Sequence, residues 1–169
     1  MRPHSSFKIL TELLEQRILV LDGAMGTMIQ GKKLSESDFR GERFKNHKSD
    51  LSGNNDLLTL TQPHIISKIY LSYLNAGCDI VETNTFNSTG SSQSDYGLSE
   101  ITYELNLEAA KLARSACDEI YNNDPKRPRF VAGVLGPTSK TASISPDVND
   151  PAMRNTSFAS LVEDDKIST

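Results

Sequence analysis

Three short apolar runs separated by helical stretches constrain the fold of this chain more than any other feature. The runs are residues 18–21, 78–83 and 130–134, and each is followed by glycine or polar residues. Nearly continuous apolar runs of this length are typical of strands that are buried on both faces. Because a helix separates each run from the next, the connections are crossovers, which join parallel strands. The sequence therefore predicts an α/β fold built on a parallel sheet.

Helical spacing of apolar residues predicts the elements between the runs. One helix spans about residues 6–16, a second starts at Pro63 and stops at Gly77, and a third spans about residues 99–121. Proline is favoured in the first turn of a helix, and glycine just beyond its end. A last helix is predicted to start near residue 156 or 157.

Two further predictions concern loops and glycines. Residues 31–56 are polar with scattered apolar anchors. A connection this long inside a compact domain is more often functional than idle. Gly133, inside the third run, is assigned to strand packing.

Composition bounds the class of protein and its partners. The 169 residues suit one domain, and the net charge of −4 without a long basic run argues against nucleic-acid binding. No stretch approaches the roughly 20 apolar residues of a membrane helix, and the amino terminus lacks the apolar core of a signal peptide. With only two cysteines, a reducing compartment is the simplest setting. We therefore expect a cytoplasmic protein with no nucleic-acid or membrane partner.

The carboxyl ends of parallel strands are where α/β folds bind ligands, and three polar segments follow the predicted strands there. They are residues 22–27, 82–86 and 136–138. The Asp22 carboxylate can pair with an ammonium group, while backbone amides at Gly23 and Ala24 can hold a carboxylate. Both ends of an amino acid would be held in this way. The candidate substrate-binding residues are Asp22, Gly23, Ala24, Glu82, Thr83 and Asn84.

Other interpretations of these segments stay open. The glycines after the first strand can form a simple tight turn, and Glu82 can be a structural carboxylate. In an unrelated enzyme, Asp22 and Glu82 could instead act as an acid/base pair. The three histidines share no ligand spacing with each other or with Cys78 and Cys117. Neither a catalytic residue nor a metal ligand is therefore assigned within the chain.

Several segments together resemble the homocysteine-binding barrel at the amino terminus of cobalamin-dependent methionine synthases. The resemblance covers about residues 10–162, and its joint motifs are specific although each one alone is weak. The first is the stretch RILVLDGAMGTMIQ, which starts at Arg17. The remaining segments are residues 39–41, 53–56, 76–86, 95–98, 131–138 and 145–146.

This resemblance implies a partial (β/α)8 TIM barrel made of about the first three strand–helix units. The implied organisation is an amino-terminal helix at residues 1–16, an incomplete homocysteine-binding barrel at 17–162 and a divergent tail at 163–169. Asp22 and the Gly23–Ala24 amides match the part of the family site that holds the amino-acid end of homocysteine.

The resemblance also implies chemistry that the chain does not carry by itself. In the family, three cysteine thiolates on later strands hold a zinc ion, which activates the homocysteine thiol towards methylcobalamin. Zinc and methylcobalamin are thus expected only in a complete enzyme, with cobalamin and folate modules as partners. The chain alone is expected to bind no zinc stoichiometrically and to be inactive. The alternative is a non-catalytic fragment, a splice product or a gene-model product that acts, if at all, as an interaction module.

Overall fold

Two long helices pack against each other and against a small parallel sheet in this computed structural model, which describes residues 3–138 and 140–168. The helices are α5 (Pro63–Ala76) and α7 (Thr102–Asn123). The sheet contains β1 (Ile80–Glu82) and β2 (Phe130–Ala132), which pair in parallel with Val81 beside Val131. Parallel strands joined through α7 are the crossover arrangement that the sequence predicts.

The helices predicted from apolar spacing are confirmed. Helix α5 begins at Pro63 and ends before Gly77, whose φ of 108° lies in the left-handed region that favours glycine. The first helix, α1 (Pro3–Gln16), and the last, α8 (Phe158–Ser168), are also present, and α8 runs without a break through residue 163. The remaining helical elements are short: α2 (Met25–Gln30), α3 (Glu36–Arg40), α4 (Leu58–Thr61), α6 (Gly90–Gln93) and two 3₁₀ turns (Ser94–Tyr96, Ser99–Ile101).

The first predicted strand differs from the expectation. Residues 18–21 contribute a single parallel bridge, Leu21 to Ile80, and the Asp22 amide donates to the Ile80 carbonyl at 2.9 Å. The expected burial on both faces is wrong, because Ile18 is 87% exposed and Val20 is 54% exposed. Among the described residues, this segment has one neighbouring strand, and no side chain covers Ile18. An apolar run predicts a strand, but its burial depends on what packs against it.

The polar connection at residues 31–56 is well packed. Its apolar anchors Phe39 and Leu51 are buried in the same core as α5 and α7, and Leu51 is fully inaccessible. The Glu36 carboxylate accepts from the Leu51 amide at 3.0 Å, which closes the segment on itself. This packing places residues 54–56 against the end of β1.

The length and the apolar content of the helices can be compared with those of membrane-spanning helices. Across residues 3–138 and 140–168, no helix is both long enough and apolar enough to cross a lipid bilayer.

Candidate functional site

A cavity of about 480 Å³ opens at the carboxyl ends of the strands. The structure brings together all six residues that the sequence singles out, since Asp22, Gly23, Ala24, Glu82, Thr83 and Asn84 all line this cavity. The other lining residues come from four segments: Met25, Gly26, Asn55, Asp56, Thr85, Phe86, Asn87 and Val134. The third predicted segment, residues 136–138, does not line it. The cavity is therefore formed mainly by the segments that follow the first two predicted strands.

Asp22 lines this cavity, and one of its carboxylate oxygens has no hydrogen-bond partner among the described residues. Its Oδ2 atom accepts from the Glu82 amide at 3.2 Å, while its Oδ1 atom is buried and has no hydrogen-bond partner among the described residues. Burial raises the pKa of the Asp22 carboxyl to about 6; the Glu82 amide opposes this rise, and the nearby Glu82 carboxylate adds to it. A carboxylate in this setting is stabilised by a cation that reaches the Oδ1 atom.

Gly23 and Ala24 form an exposed turn between Asp22 and α2. Tyr73 of α5 lies beneath this turn, and its hydroxyl donates to the Ala24 carbonyl at 3.4 Å. A Cβ atom at Gly23 would lie 2.9 Å from the outer edge of the Tyr73 ring, so a larger residue there would displace that side chain. Helix α5 thus sets the position of the turn.

The side chains of Thr83 and Asn84 hold the wall of the cavity together. The Thr83 hydroxyl accepts from the Val134 amide at 2.9 Å, which joins the ends of β1 and β2. The Asn84 amide group donates to the Asn55 carbonyl at 2.8 Å. Glu82 differs, because its side chain is exposed and its backbone amide contacts Asp22. Direct contact of these three residues with a ligand stays a prediction.

Asp56 is a site residue that the sequence analysis did not identify. It is 2% exposed, and its Oδ2 atom accepts from the Asn87 amide at 2.6 Å and from the Ser88 hydroxyl at 2.8 Å. Burial raises the pKa of its carboxyl to about 6. Its contacts tie the polar connection to the loop after β1. The available signal was an Asn-Asn-Asp sequence directly before two leucines, but only the fold shows what it faces.

The described residues do not fit a zinc ion of the kind that the family resemblance implies. No group of three or more histidine, cysteine or acidic side chains in the described part of the chain is placed to hold a metal. Cys78 and Cys117 are both buried, and burial raises the pKa of each thiol to about 11. Since a thiolate is the zinc-binding form of cysteine, these two side chains are poorly suited to that role.

Gly136 lies close to the backbone of Phe86, which lines the cavity. A Cβ atom at Gly136 would overlap the Phe86 carbonyl oxygen and lie 2.9 Å from its carbonyl carbon. We expect Gly136→Ala to lower the free energy of unfolding by about 2 kcal/mol, because overpacked backbone must shift. Urea unfolding measures this effect.

Gly133→Ala is the matched control for that substitution. A Cβ atom at Gly133 would meet no atom of the described residues within 4 Å, so the assignment of Gly133 to strand packing is wrong. The change at Gly133 is expected to leave stability within about 0.5 kcal/mol of the parent. Equal effects of the two substitutions would contradict the predicted contact at Phe86.

The fold and cavity together define an α/β domain with a ligand pocket at the carboxyl ends of parallel strands, consistent with part of an α/β barrel enzyme. The family profile described as homocysteine S-methyltransferase matches residues 19–164. The chain therefore belongs to the homocysteine S-methyltransferase family.

Solved structures of one enzyme are similar to this chain. The oxidized form of the homocysteine methyltransferase MmuM from Escherichia coli is 26% identical, with a TM-score of 0.60 over 76% of this chain and 40% of that one. The metallated form is 25% identical, with a TM-score of 0.58 over 76% of this chain and 41% of that one. The chain thus spans about two fifths of the length of these structures.

Proposed function

We propose that this chain is the homocysteine-binding part of a methyltransferase of the cobalamin-dependent methionine synthase type. Its family membership supports methyl transfer to homocysteine as the general activity. Residues 39–41 and 53–56 resemble an insertion that helps separate the cobalamin-dependent enzymes from other homocysteine methyltransferases, and they favour that branch. The observation that carries the proposal is the unpartnered Oδ1 atom of Asp22 beside a 480 Å³ cavity.

In this proposal, the two ends of the amino acid occupy different parts of the cavity. The homocysteine ammonium group is the cation that pairs with the Asp22 carboxylate. The homocysteine carboxylate accepts from the backbone amides of Gly23 and Ala24, whose turn is exposed to the cavity. The apolar atoms of Met25 and Val134 also line the cavity and suit the methylene groups of the substrate.

We assign the zinc-dependent part of the reaction to residues other than those that line this cavity. A bound zinc ion would lower the pKa of the homocysteine thiol, so that the thiolate forms at neutral pH. The two cysteines of the chain cannot provide three thiolate ligands for such an ion. We therefore propose that the chain binds homocysteine but does not methylate it alone, and that it acts in the cytoplasm with cobalamin and folate modules. Stoichiometric zinc binding with turnover on methylcobalamin would contradict this part of the proposal.

The pH dependence of homocysteine binding tests the role of Asp22. Only the ionised carboxylate attracts the ammonium, and the pKa of Asp22 is about 6. Affinity measured by calorimetry is therefore expected to fall about tenfold between pH 7 and pH 5, because roughly a tenth of the carboxylate stays ionised at pH 5. Asp56 titrates in the same range, so the control is Asp22→Asn, whose residual affinity should vary little with pH. Affinity that rises on acidification would exclude the proposed ion pair.

A further inference from the structure

A second cavity, of about 400 Å³, lies at the other end of the sheet, where β2 begins. It is enclosed by α1, by α7 and by the residues that lead into β2. Its lining residues are Ser6, Ile9, Arg114, Asp118, Tyr121, Pro128, Arg129 and Phe130. Since β1 and β2 are parallel, this cavity and the Asp22 cavity lie at opposite ends of the strands. The homocysteine site does not account for it.

Arg129 is the unusual residue of this second cavity. The residue is 7% exposed, and its Nε atom is buried without a hydrogen-bond partner among residues 3–138 and 140–168. One terminal nitrogen donates to the Arg127 carbonyl at 2.9 Å. None of the ion pairs formed in that part of the chain includes Arg129. A buried guanidinium that lacks a counter-ion is unfavourable, so the site favours an anion.

The charged side chains near Arg129 do not supply the counter-ion that it lacks. The buried Asp79 carboxylate is already shared by Arg17 at 2.8 Å and Arg127 at 3.2 Å. Arg114 donates to the Arg129 carbonyl at 3.1 Å and pairs with Asp118 at 2.8 Å. Two guanidinium groups and one carboxylate therefore line the cavity, which gives it a net positive charge. Each terminal nitrogen of Arg114 carries two N–H groups, so Arg114 keeps donor capacity after these contacts.

We propose that this cavity binds a small oxyanion, a phosphate or a small carboxylate, on the guanidinium group of Arg129 and the remaining donors of Arg114. The anion supplies the counter-ion that Arg129 lacks. Because Ile9 of α1 lines the same cavity as Arg129, the bound anion also stabilises the packing of α1 against α7 and β2. This site is separate from homocysteine binding, and its test does not depend on the proposed function.

Thermal unfolding of the whole 169-residue chain tests the proposal with inorganic phosphate, with acetate and with sodium chloride at matched ionic strength. At ten times its Kd, phosphate is expected to raise the Tm by about 3 °C above the chloride control. A similar rise with acetate would identify carboxylates as ligands, whereas no rise with acetate would restrict the site to phosphate. Failure of both ions to raise the Tm would overturn the proposal.

Substitutions test whether the rise in Tm with phosphate depends on Arg129. Arg129→Met is expected to abolish the phosphate response while unfolding, in anion-free buffer, at or above the parent Tm, because it removes an unpaired buried charge. Arg43→Met makes the same charge change at an exposed ion pair with Glu104 and should keep the full response. If Arg129→Met does not fold, Arg114→Gln tests the proposal instead. This substitution is expected to weaken phosphate binding at least about threefold.

Two results with the variants would contradict the proposal. Equal phosphate responses in the parent and in Arg129→Met would show non-specific ion binding. Self-association that depends on Arg129, measured by sedimentation, would show that a carboxylate of a second copy fills the cavity instead of a small anion.

Discussion

Asp22→Asn is expected to weaken homocysteine binding about 100-fold, the largest functional effect predicted for this chain. The substitution keeps the shape of the side chain but removes the charge that attracts the ammonium. Loss of one partner of a partly buried charge pair costs about 2–5 kcal/mol, and 100-fold corresponds to about 2.8 kcal/mol. Isothermal titration calorimetry at pH 7.5, where the parent carboxylate is ionised, measures the change.

Although Asp22→Asn is expected to lower the affinity for homocysteine, it is not expected to lower the stability of the unliganded fold. Asp22 has a raised pKa of about 6 because burial disfavours its charged form, so the unliganded fold is destabilised by this carboxylate at neutral pH. Asp22→Asn should therefore unfold at an equal or higher urea concentration than the parent. Asp95→Asn, which neutralises an exposed carboxylate, is the matched control and should leave both affinity and stability unchanged. Weak binding together with a lower stability would indicate misfolding and not loss of a ligand contact.

Asp79→Asn is expected to cause the largest loss of stability. Asp79 is fully buried, and it receives both terminal nitrogens of Arg17 at 2.8 Å and the Val20 amide at 3.0 Å. These contacts hold residues 18–21 against β1 from its amino-terminal end. Breaking a buried ion pair costs about 3–5 kcal/mol. Because the Arg17 side chain is 38% exposed and solvent screens it, we expect about 3 kcal/mol, near the lower end.

Acid unfolding distinguishes Asp79 from the two carboxyls with raised pKa values. The Arg17 guanidinium holds the pKa of Asp79 well below its usual range, so its stabilisation is complete above about pH 4 and is lost on further acidification. Asp22 and Asp56, with pKa values of about 6, act the other way, and their destabilising effect disappears between about pH 6 and pH 4. Parent stability is therefore expected to rise from about pH 7 to about pH 4 and then to fall on further acidification.

Asp79→Asn should flatten the acid limb of this profile, measured by urea unfolding at each pH. The control is Glu108→Gln, since Glu108 pairs with Lys111 at the surface of α7. Its loss is expected to change stability by less than about 0.5 kcal/mol. An acid limb that stays unchanged in Asp79→Asn would show that other carboxyls govern acid unfolding.

Much of the secondary structure could be predicted because its signals are local. Proline and glycine mark the two ends of α5, and apolar residues at helical spacing mark the buried face of α7. The positions of β1 and β2 follow from short apolar runs between helices. The strands are shorter than predicted, because strand length depends on pairing with neighbours and not on the run of residues alone.

The contacts that attach the first segment could not be predicted in the same way. Arg17 and Asp79 lie 62 positions apart in the sequence, and nothing local to either residue identifies the other as its partner. Asp56 likewise reaches Ser88 across 32 positions. Side chains that are adjacent only after folding have no periodic signal in the sequence.

By itself, the sequence determined the order of helices and parallel strands, and with it the meeting of residues 22–27 and 82–86 at the carboxyl ends of the strands. Local periodicity and the geometry of crossovers are sufficient for that conclusion. The tertiary structure decided the electrostatic state of each residue. The Oδ1 atom of Asp22 and the Nε atom of Arg129 are buried without hydrogen-bond partners in the described part of the chain, whereas Asp79 has several partners. Burial and hydrogen bonding set the cost of a charge, and both arise only when distant segments pack together.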